Sequence, residues 1–220
     1  MSEITITFLF GVGFVCFFGF IEFLYYRLRL KVELTRKLIH IGSGLAALSF
    51  PFVFTEFWSV ALLCLAFLGI LLVTKKGYLL RSIHAVDRPT QGSALFPVVV
   101  SVCFAIYLYH GQYLIYLIPL SILAICDPIA AWTGKKMGFG TYYIKGHQKS
   151  LAGNLGFFLS CLLLCESLLY AVPGSIFLSF LLALLCTMAE GLIINGFDNL
   201  SIPITALAGL YIFPVLSQPI

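Results

Sequence analysis

Charge is what this chain has least of. Only 10% of its 220 residues are Asp, Glu, Lys or Arg, against about a quarter in soluble domains, and the mean hydropathy is +1.06. That excludes a water-soluble globular protein. Long polar stretches are missing too: apolar runs of the ~20 residues that cross a ~30 Å hydrocarbon layer tile nearly the whole sequence and leave no room for a separate soluble domain. The seven cysteines contain no Cys-x-x-Cys pair and all fall in apolar runs, so they read as small hydrophobes in helix packing, and neither disulfides nor zinc is expected. No Walker A sequence, Gly-x4-Gly-Lys-(Ser/Thr), is present, which excludes a P-loop nucleotide site. Basic stretches are not interleaved with aromatic platforms, which argues against nucleic acid as a partner. The absence of an inverted repeat weighs against a small-solute transporter.

What is present predicts an all-α, polytopic transmembrane helix bundle forming one integral membrane domain over residues 1–220. Eight spans are expected, at about 5–24, 38–54, 57–73, 94–110, 113–131, 151–172, 175–194 and 200–217. Seven is the fallback count, because the second and third runs are short enough to be bent at Pro51 or joined as a re-entrant pair. The first run lacks a basic leading region and a small-residue cleavage site before Tyr25 and Tyr26, so it reads as a retained span.

The cations fall on every second loop. Arg27, Arg29, Lys31, Arg36 and Lys37 follow span 1, Lys75, Lys76, Arg81 and Arg88 follow span 3, and Lys135, Lys136, Lys145 and Lys149 follow span 5, which accounts for all 13 Lys and Arg residues. The positive-inside rule then makes these loops cytoplasmic and points both termini outward. The expected location is a cell inner membrane in a bacterium, or an endoplasmic-reticulum or plastid membrane in a eukaryote. Anionic headgroups and phosphates are the natural partners of the basic face.

Charges inside a membrane are costly and mark functional positions. Asp127 lies about four residues, ~6 Å of helical rise, from the cytoplasmic end of span 5. Glu190 has a similar depth in span 7, and Asp198 and Asn199 follow in the next connection. On span 2, Arg36, His40 and Gly44 recur every four residues on one helix face, with Lys37 adjacent. Gly42 and Gly44 fit either a ligand surface or close helix packing. Between spans 5 and 6, Gly134, Gly138, Gly140, Gly146 and Gly153 alternate with Lys135, Lys136, Lys145 and Lys149. Glycines let backbone N–H groups approach an anion, and a helix starting near Ser150 would aim its positive dipole end at that loop. The alternative use of the lysines is to hold the topology at the membrane edge; it is weakest for Lys149. Carboxylates hold Mg²⁺ together with substrate phosphates, while Lys and Arg neutralise phosphoryl charge. The cluster therefore suits phosphoryl or nucleotidyl transfer at the inner membrane surface, with one substrate arriving from the bilayer.

Five segments in order resemble the CTP-dependent lipid-alcohol kinase family, which includes dolichol, phytol and farnesol kinases and yeast-type diacylglycerol kinase. They are Arg36-Lys-Leu-Ile-His-Ile-Gly-Ser-Gly44, Arg88-Pro-Thr-Gln-Gly-Ser-Ala-Leu-Phe-Pro97, Asp127-Pro-Ile-Ala-Ala-Trp-Thr-Gly-Lys-Lys-Met-Gly138, Lys149-Ser-Leu-Ala-Gly-Asn154, and Glu190 followed by Asp198-Asn-Leu-Ser-Ile-Pro203. Together they span residues 36–203. The chain departs from the pattern at Cys126, where the family often has Gly, and at Ala152, where it often has Glu. The resemblance implies CTP as donor, Mg²⁺ as cofactor, and a polyprenol, phytol, farnesol or diacylglycerol as acceptor. On that reading Asp127 and Asp198 hold the metal, and Glu190 is a further ligand or the base. Lys149, Lys145, Ser150, Asn199 and the backbone at Gly134, Gly138 and Gly153 contact the nucleotide, Arg36 and Lys37 stabilise the transferring group, and His40 accepts the alcohol proton or holds a facing helix. The runner-up is a CTP:phosphatidate cytidylyltransferase, whose usual basic-acidic signature is absent near Lys149.

Overall fold

The structure, a computed structural model, describes residues 2–77, 79–85 and 91–212. Arg88, with the start of the segment 88–97, and the expected end of the last span beyond 212 lie outside the described residues. The chain forms α1 (Glu3–Leu28), α2 (Val32–Leu48), α3 (Phe50–Val53), α4 (Phe57–Lys76), α5 (Arg81–His84), α6 (Gly92–His110), α7 (Tyr113–Ser121), a π-helical segment (Ile122–Cys126), α8 (Asp127–Met137), strands β1 (Thr141–Ile144) and β2 (His147–Ser150), α9 (Leu151–Leu169), α10 (Ser175–Leu192) and α11 (Asp198–Ile212). This is the expected all-α polytopic bundle, with one small hairpin added.

Among the described residues, six helices are long and apolar enough to cross a membrane: α1, α4, α6, the continuous helix Tyr113–Met137, α9 and α10. At 17 residues α2 is shorter, as are the 15 described residues of α11, so the expected count of eight is not confirmed. The run 38–54 is not one span. Helix α2 starts at Val32, stops at Leu48, and is followed by α3 with Pro51 in its first turn, where a proline needs no N–H partner. The fifth span reaches Met137 rather than residue 131.

Helix Tyr113–Met137 is the axis of the bundle: 61% of its apolar stretch is buried, against 11% for α1. One core, around Phe14, Phe67, Phe104 and Tyr116, joins α1, α2, α4 and α6 to its first half. A second, around Phe157, Cys161, Leu182 and Ala206, joins α9, α10 and α11 to its second half. Backbone polar groups in a lipid-like interior need partners, and side chains from neighbouring helices supply them. Tyr116 donates to the Ala47 carbonyl at 2.8 Å, closing the end of α2. Glu3 accepts from the Thr55 and Glu56 amides at 2.6 and 3.0 Å, and Glu22 accepts from the Arg81 and Ser82 amides at 3.0 and 2.9 Å.

Helices α8 and α9 meet along glycines. A Cβ on Gly156 would stand 2.2 Å from Thr133 Oγ1 and 2.9 Å from its Cβ, and Thr133 is stiff because it is β-branched and its hydroxyl is bonded to the Ile129 carbonyl. Gly156→Ala is therefore expected to cost about 1–3 kcal/mol through overpacking, while Gly69→Ala, inside α4 and facing open space, should keep stability or raise it by up to about 1 kcal/mol through helix propensity. Thermal melts of both variants in the same detergent check this.

Candidate active site

The site starts from a break in the central helix. In the π segment each carbonyl looks five residues ahead for its donor, and for Leu123 that residue is Pro128, which has no N–H. His40 fills the gap: its Nε2 lies 3.0 Å from the Leu123 carbonyl. A carbonyl only accepts, so Nε2 carries a proton, and in the neutral imidazole Nδ1 is then the ring's acceptor. Gly44, one turn on, makes the approach possible, since a Cβ there would stand 2.5 Å from the Ala124 Cβ. Gly42 packs against the Phe17 ring of α1 in the same way. Both glycines serve helix packing.

Beside this junction lies a cavity of about 330 Å³. Its mouth is charged: Arg36, Lys37 and His40 come from α2, Asp127 and Lys135 from α8, and Asp198 and Asn199 from the start of α11. Its interior is apolar, walled by Ala47 and Phe50, by Leu63, Cys64 and Phe67 of α4, and by Phe96 and Val100 of α6. Arg36 feels the charges of Asp198, Glu33 and Asp127, and Lys37 feels Lys135, Asp127 and Glu33. Glu33 is ion-paired with Lys135 across α2 and α8. Three segments far apart in sequence thus supply one charged ring.

The second polar group is the hairpin. Lys145 and Gly146 form its tip with φ of 46° and 82°, the sign a tight two-residue turn demands. From there the period-2 alternation points Tyr142 and Lys149, paired across the strands, toward the bundle. The Tyr142 hydroxyl accepts from Asn154 Nδ2 at 2.9 Å and donates to the Gly191 carbonyl at 3.2 Å, which seats the hairpin on α9 and α10. Lys149 Nζ donates to Glu190 Oε1 at 2.5 Å and to the Glu190 carbonyl at 2.7 Å. Burial works against the Lys149 ammonium, but Glu190, Asp198 and Asp127 outweigh it and hold its pKa above the ordinary value of 10.5.

The sequence-predicted residues therefore divide. Arg36, Lys37, His40, Asp127, Asp198 and Asn199 border the cavity, whereas Lys149, Glu190, Ser150, Gly134, Gly138, Gly153 and Lys145 do not. Ser150 caps α9 by accepting from the Gly153 amide at 3.1 Å. Gly134 and Gly153 face each other across α8 and α9, where a Cβ on Gly134 would stand 3.4 Å from Gly153 Cα. Gly138 ends α8 with φ of 61°, and Lys145 is exposed at the hairpin tip. Asn199 donates to the Gly92 carbonyl at 2.8 Å, tying α11 to α6. Among the described residues, no three of His, Cys, Asp and Glu converge as a ready-made metal site. Asp127 and Asp198 on one mouth still fit Mg²⁺, which uses one or two carboxylates and completes its shell with water and substrate phosphates.

Ser43 is the residue that motif reading passed over. It is 7% exposed, borders the cavity one turn below His40, and its hydroxyl has no hydrogen-bond partner among the described residues. A buried hydroxyl without a partner is costly, so its orientation toward a cavity is informative. The helical spacing from Arg36 through His40 was the available signal.

The Lys149–Glu190 pair is 17% and 9% exposed. Removing one partner of such a pair typically costs about 3–5 kcal/mol, while replacing both with apolar groups is near neutral. Lys149→Met should lower stability by that amount, and Lys149→Met with Glu190→Leu should restore most of it in detergent melts. Because the folded pKa of Lys149 is raised, the pair's contribution is complete at neutral pH and is lost only as pH rises through that raised value.

Across 189 residues, covering 82% of this chain and 81% of the other, the sequence is 26% identical to a protein described as phytol kinase from Synechocystis sp. (strain ATCC 27184 / PCC 6803 / Kazusa). No protein-family profile matches the chain, and no solved structure matches it.

Proposed function

We propose that this integral, multi-pass membrane protein phosphorylates a lipid alcohol, with CTP as donor and Mg²⁺ as cofactor, at the cytoplasmic face of its membrane. The observation that carries the reading is the cavity itself: cations and carboxylates at the mouth, hydrocarbon walls inside. Such a gradient matches an acceptor whose reactive end is a hydroxyl and whose body is a hydrocarbon chain. The similarity to a protein described as phytol kinase over most of both chains supports lipid-alcohol phosphorylation in general.

In the reaction a bond forms between the alcohol oxygen and the terminal phosphorus while the bond from that phosphorus to the bridging oxygen breaks, releasing the nucleoside diphosphate. Positioning and charge neutralisation supply most of the acceleration in such transfers. Arg36 and Lys37, on the cavity mouth, neutralise the charge that gathers on the equatorial phosphoryl oxygens. Asp127 and Asp198 would hold Mg²⁺, which when bound offsets the phosphate charge. The Nδ1 of His40 accepts the alcohol proton, a role compatible with its Nε2 bond to Leu123. Ser43, a turn deeper, holds the alcohol oxygen in line. Lys149 and Glu190 act one layer out, fixing the hairpin over the site and adding their field to the mouth.

Purified protein given CTP, Mg²⁺ and a panel of prenyl alcohols, diacylglycerol and phosphatidate is expected to release CDP and a phosphorylated alcohol. Pyrophosphate with a CDP-lipid would replace this reading with nucleotidyl transfer. Asp127→Asn should lower turnover by roughly 10²–10³-fold, the scale for losing one group that stabilises transition-state charge, with the protein still folded. Ser43→Ala should raise KM for the alcohol about fivefold, the worth of one neutral hydrogen bond, with kcat nearly unchanged; a kcat loss at constant KM would remove Ser43 from acceptor binding.

A further inference from the structure

The cavity is smaller than the lipid that the preceding reading assigns to it. An apolar cavity of about 150 Å³ takes a six-carbon ring, so the 330 Å³ here holds on the order of a dozen carbons. A fourteen-carbon chain gives only marginal, reversible membrane binding, at about 0.8 kcal/mol per methylene. A bilayer-resident acceptor therefore carries more chain than the cavity contains, and the remainder has to leave the bundle.

One wall offers the way out. Phe14 of α1 borders the cavity and also a second hollow, formed between α1 and α2 by Leu9, Phe10, Gly13, Phe17, Gly42 and Ala46. Neighbouring residues of α2 divide between the two spaces, Ala46 facing the groove and Ala47 the cavity. Gly13 and Leu9 are exposed on the outside of the bundle, and a Cβ on Gly13 meets nothing within 4 Å. The groove thus opens along α1, the least buried of the candidate spans. The Phe14 ring lies 4.6 Å from Phe67 and 6.4 Å from Phe18 in edge-on contacts, and Phe14 is the one residue that lines both spaces.

Resting on the lipid-alcohol reading, we propose that the acceptor is a single-chain alcohol whose hydroxyl end lies at Ser43 and whose chain fills the cavity, passes Phe14 and runs through the α1–α2 groove into the bilayer. Gly13 leaves the groove open on its α1 side, where a larger side chain would occupy it. Cavity and groove form one path and suit one chain.

The test uses the full-length protein in lipid nanodiscs and two photoreactive prenyl alcohols, of ten and twenty carbons, each with a diazirine on its terminal carbon, with adducts mapped by mass spectrometry. The ten-carbon probe is expected on the cavity wall at Leu63, Cys64 or Phe67, and the twenty-carbon probe on the groove at Leu9, Phe10, Gly13 or Ala46. Gly13→Trp should lower groove adducts of the long probe at least tenfold. Gly19→Trp, exposed on the same helix outside the groove, should label as the unsubstituted protein does. Long-probe adducts confined to the outer faces of α9 and α10, or groove adducts unchanged by Gly13→Trp, overturn the path. Labelling as expected in a protein that phosphorylates no alcohol upholds the path and sinks the kinase reading; phosphorylation with labelling elsewhere does the reverse.

Discussion

One backbone carbonyl in a water-poor interior organises this molecule. Leu123 sits in a π-helical turn directly before Pro128, so the helix offers its oxygen no donor, and an unsatisfied carbonyl at that depth costs several kcal/mol. His40 supplies the donor, but only because Gly44 lets α2 settle against Ala124. With α2 in place, Arg36 and Lys37 stand opposite Asp127, and the surface below His40 becomes a cavity wall. Close packing, a helix defect and a site are here the same event, and the proline next to Asp127 couples them.

The charged groups form two tiers. Around the cavity mouth, the cations of α2 face the carboxylates of α8 and α11 with no ion pair between them among the described residues, while Glu33 of α2 is paired with Lys135 of α8. Behind, Lys149 and Glu190 are held tightly to each other. An arrangement of this kind keeps the front groups available for a polyanion and uses the rear pair to set the hairpin and the local field. The acceptor side follows the same economy of parts: polar groups stop at Ser43, and below it the walls are hydrocarbon, so a hydroxyl entering from the bilayer meets its first partner only at the level of Ser43.

Much of this could be read in the chain. The apolar runs announced an all-α membrane bundle, and the i, i+4 spacing of Arg36, His40 and Gly44 placed them on one face, as the structure has them. Asp127 stands out by the cost of charge in an apolar setting and Asp198 by its place in the connection after Glu190, and the two do share a mouth. The hairpin was missed, although Thr141-Tyr-Tyr-Ile144 is β-prone and is followed by Lys145-Gly146; a density of glycines and lysines drew the reading toward an anion-binding loop. Gly134 and Gly153 turned out to meet each other, because a glycine's lack of a side chain suits helix contact as well as phosphate contact and sequence does not distinguish the two. For Ser43 the helical spacing after His40 was the one signal, and it is weak, since a buried hydroxyl becomes conspicuous only when its partners are known to be missing.

What the sequence by itself determined is the medium and the local chemistry: too little charge for water, enough apolar length for a bilayer, and acid and base placed at particular depths by helical rise. Tertiary structure alone decided which of those groups meet. Helical periodicity sets which face of one helix a residue occupies but not which other helix covers it, and that choice depends on contacts such as Gly44 on Ala124 and Lys149 on Glu190, between residues 80 and 41 positions apart. The division of one polar cluster into a cavity mouth and a buried ion pair, and the opening of a path between α1 and α2, belong to that level.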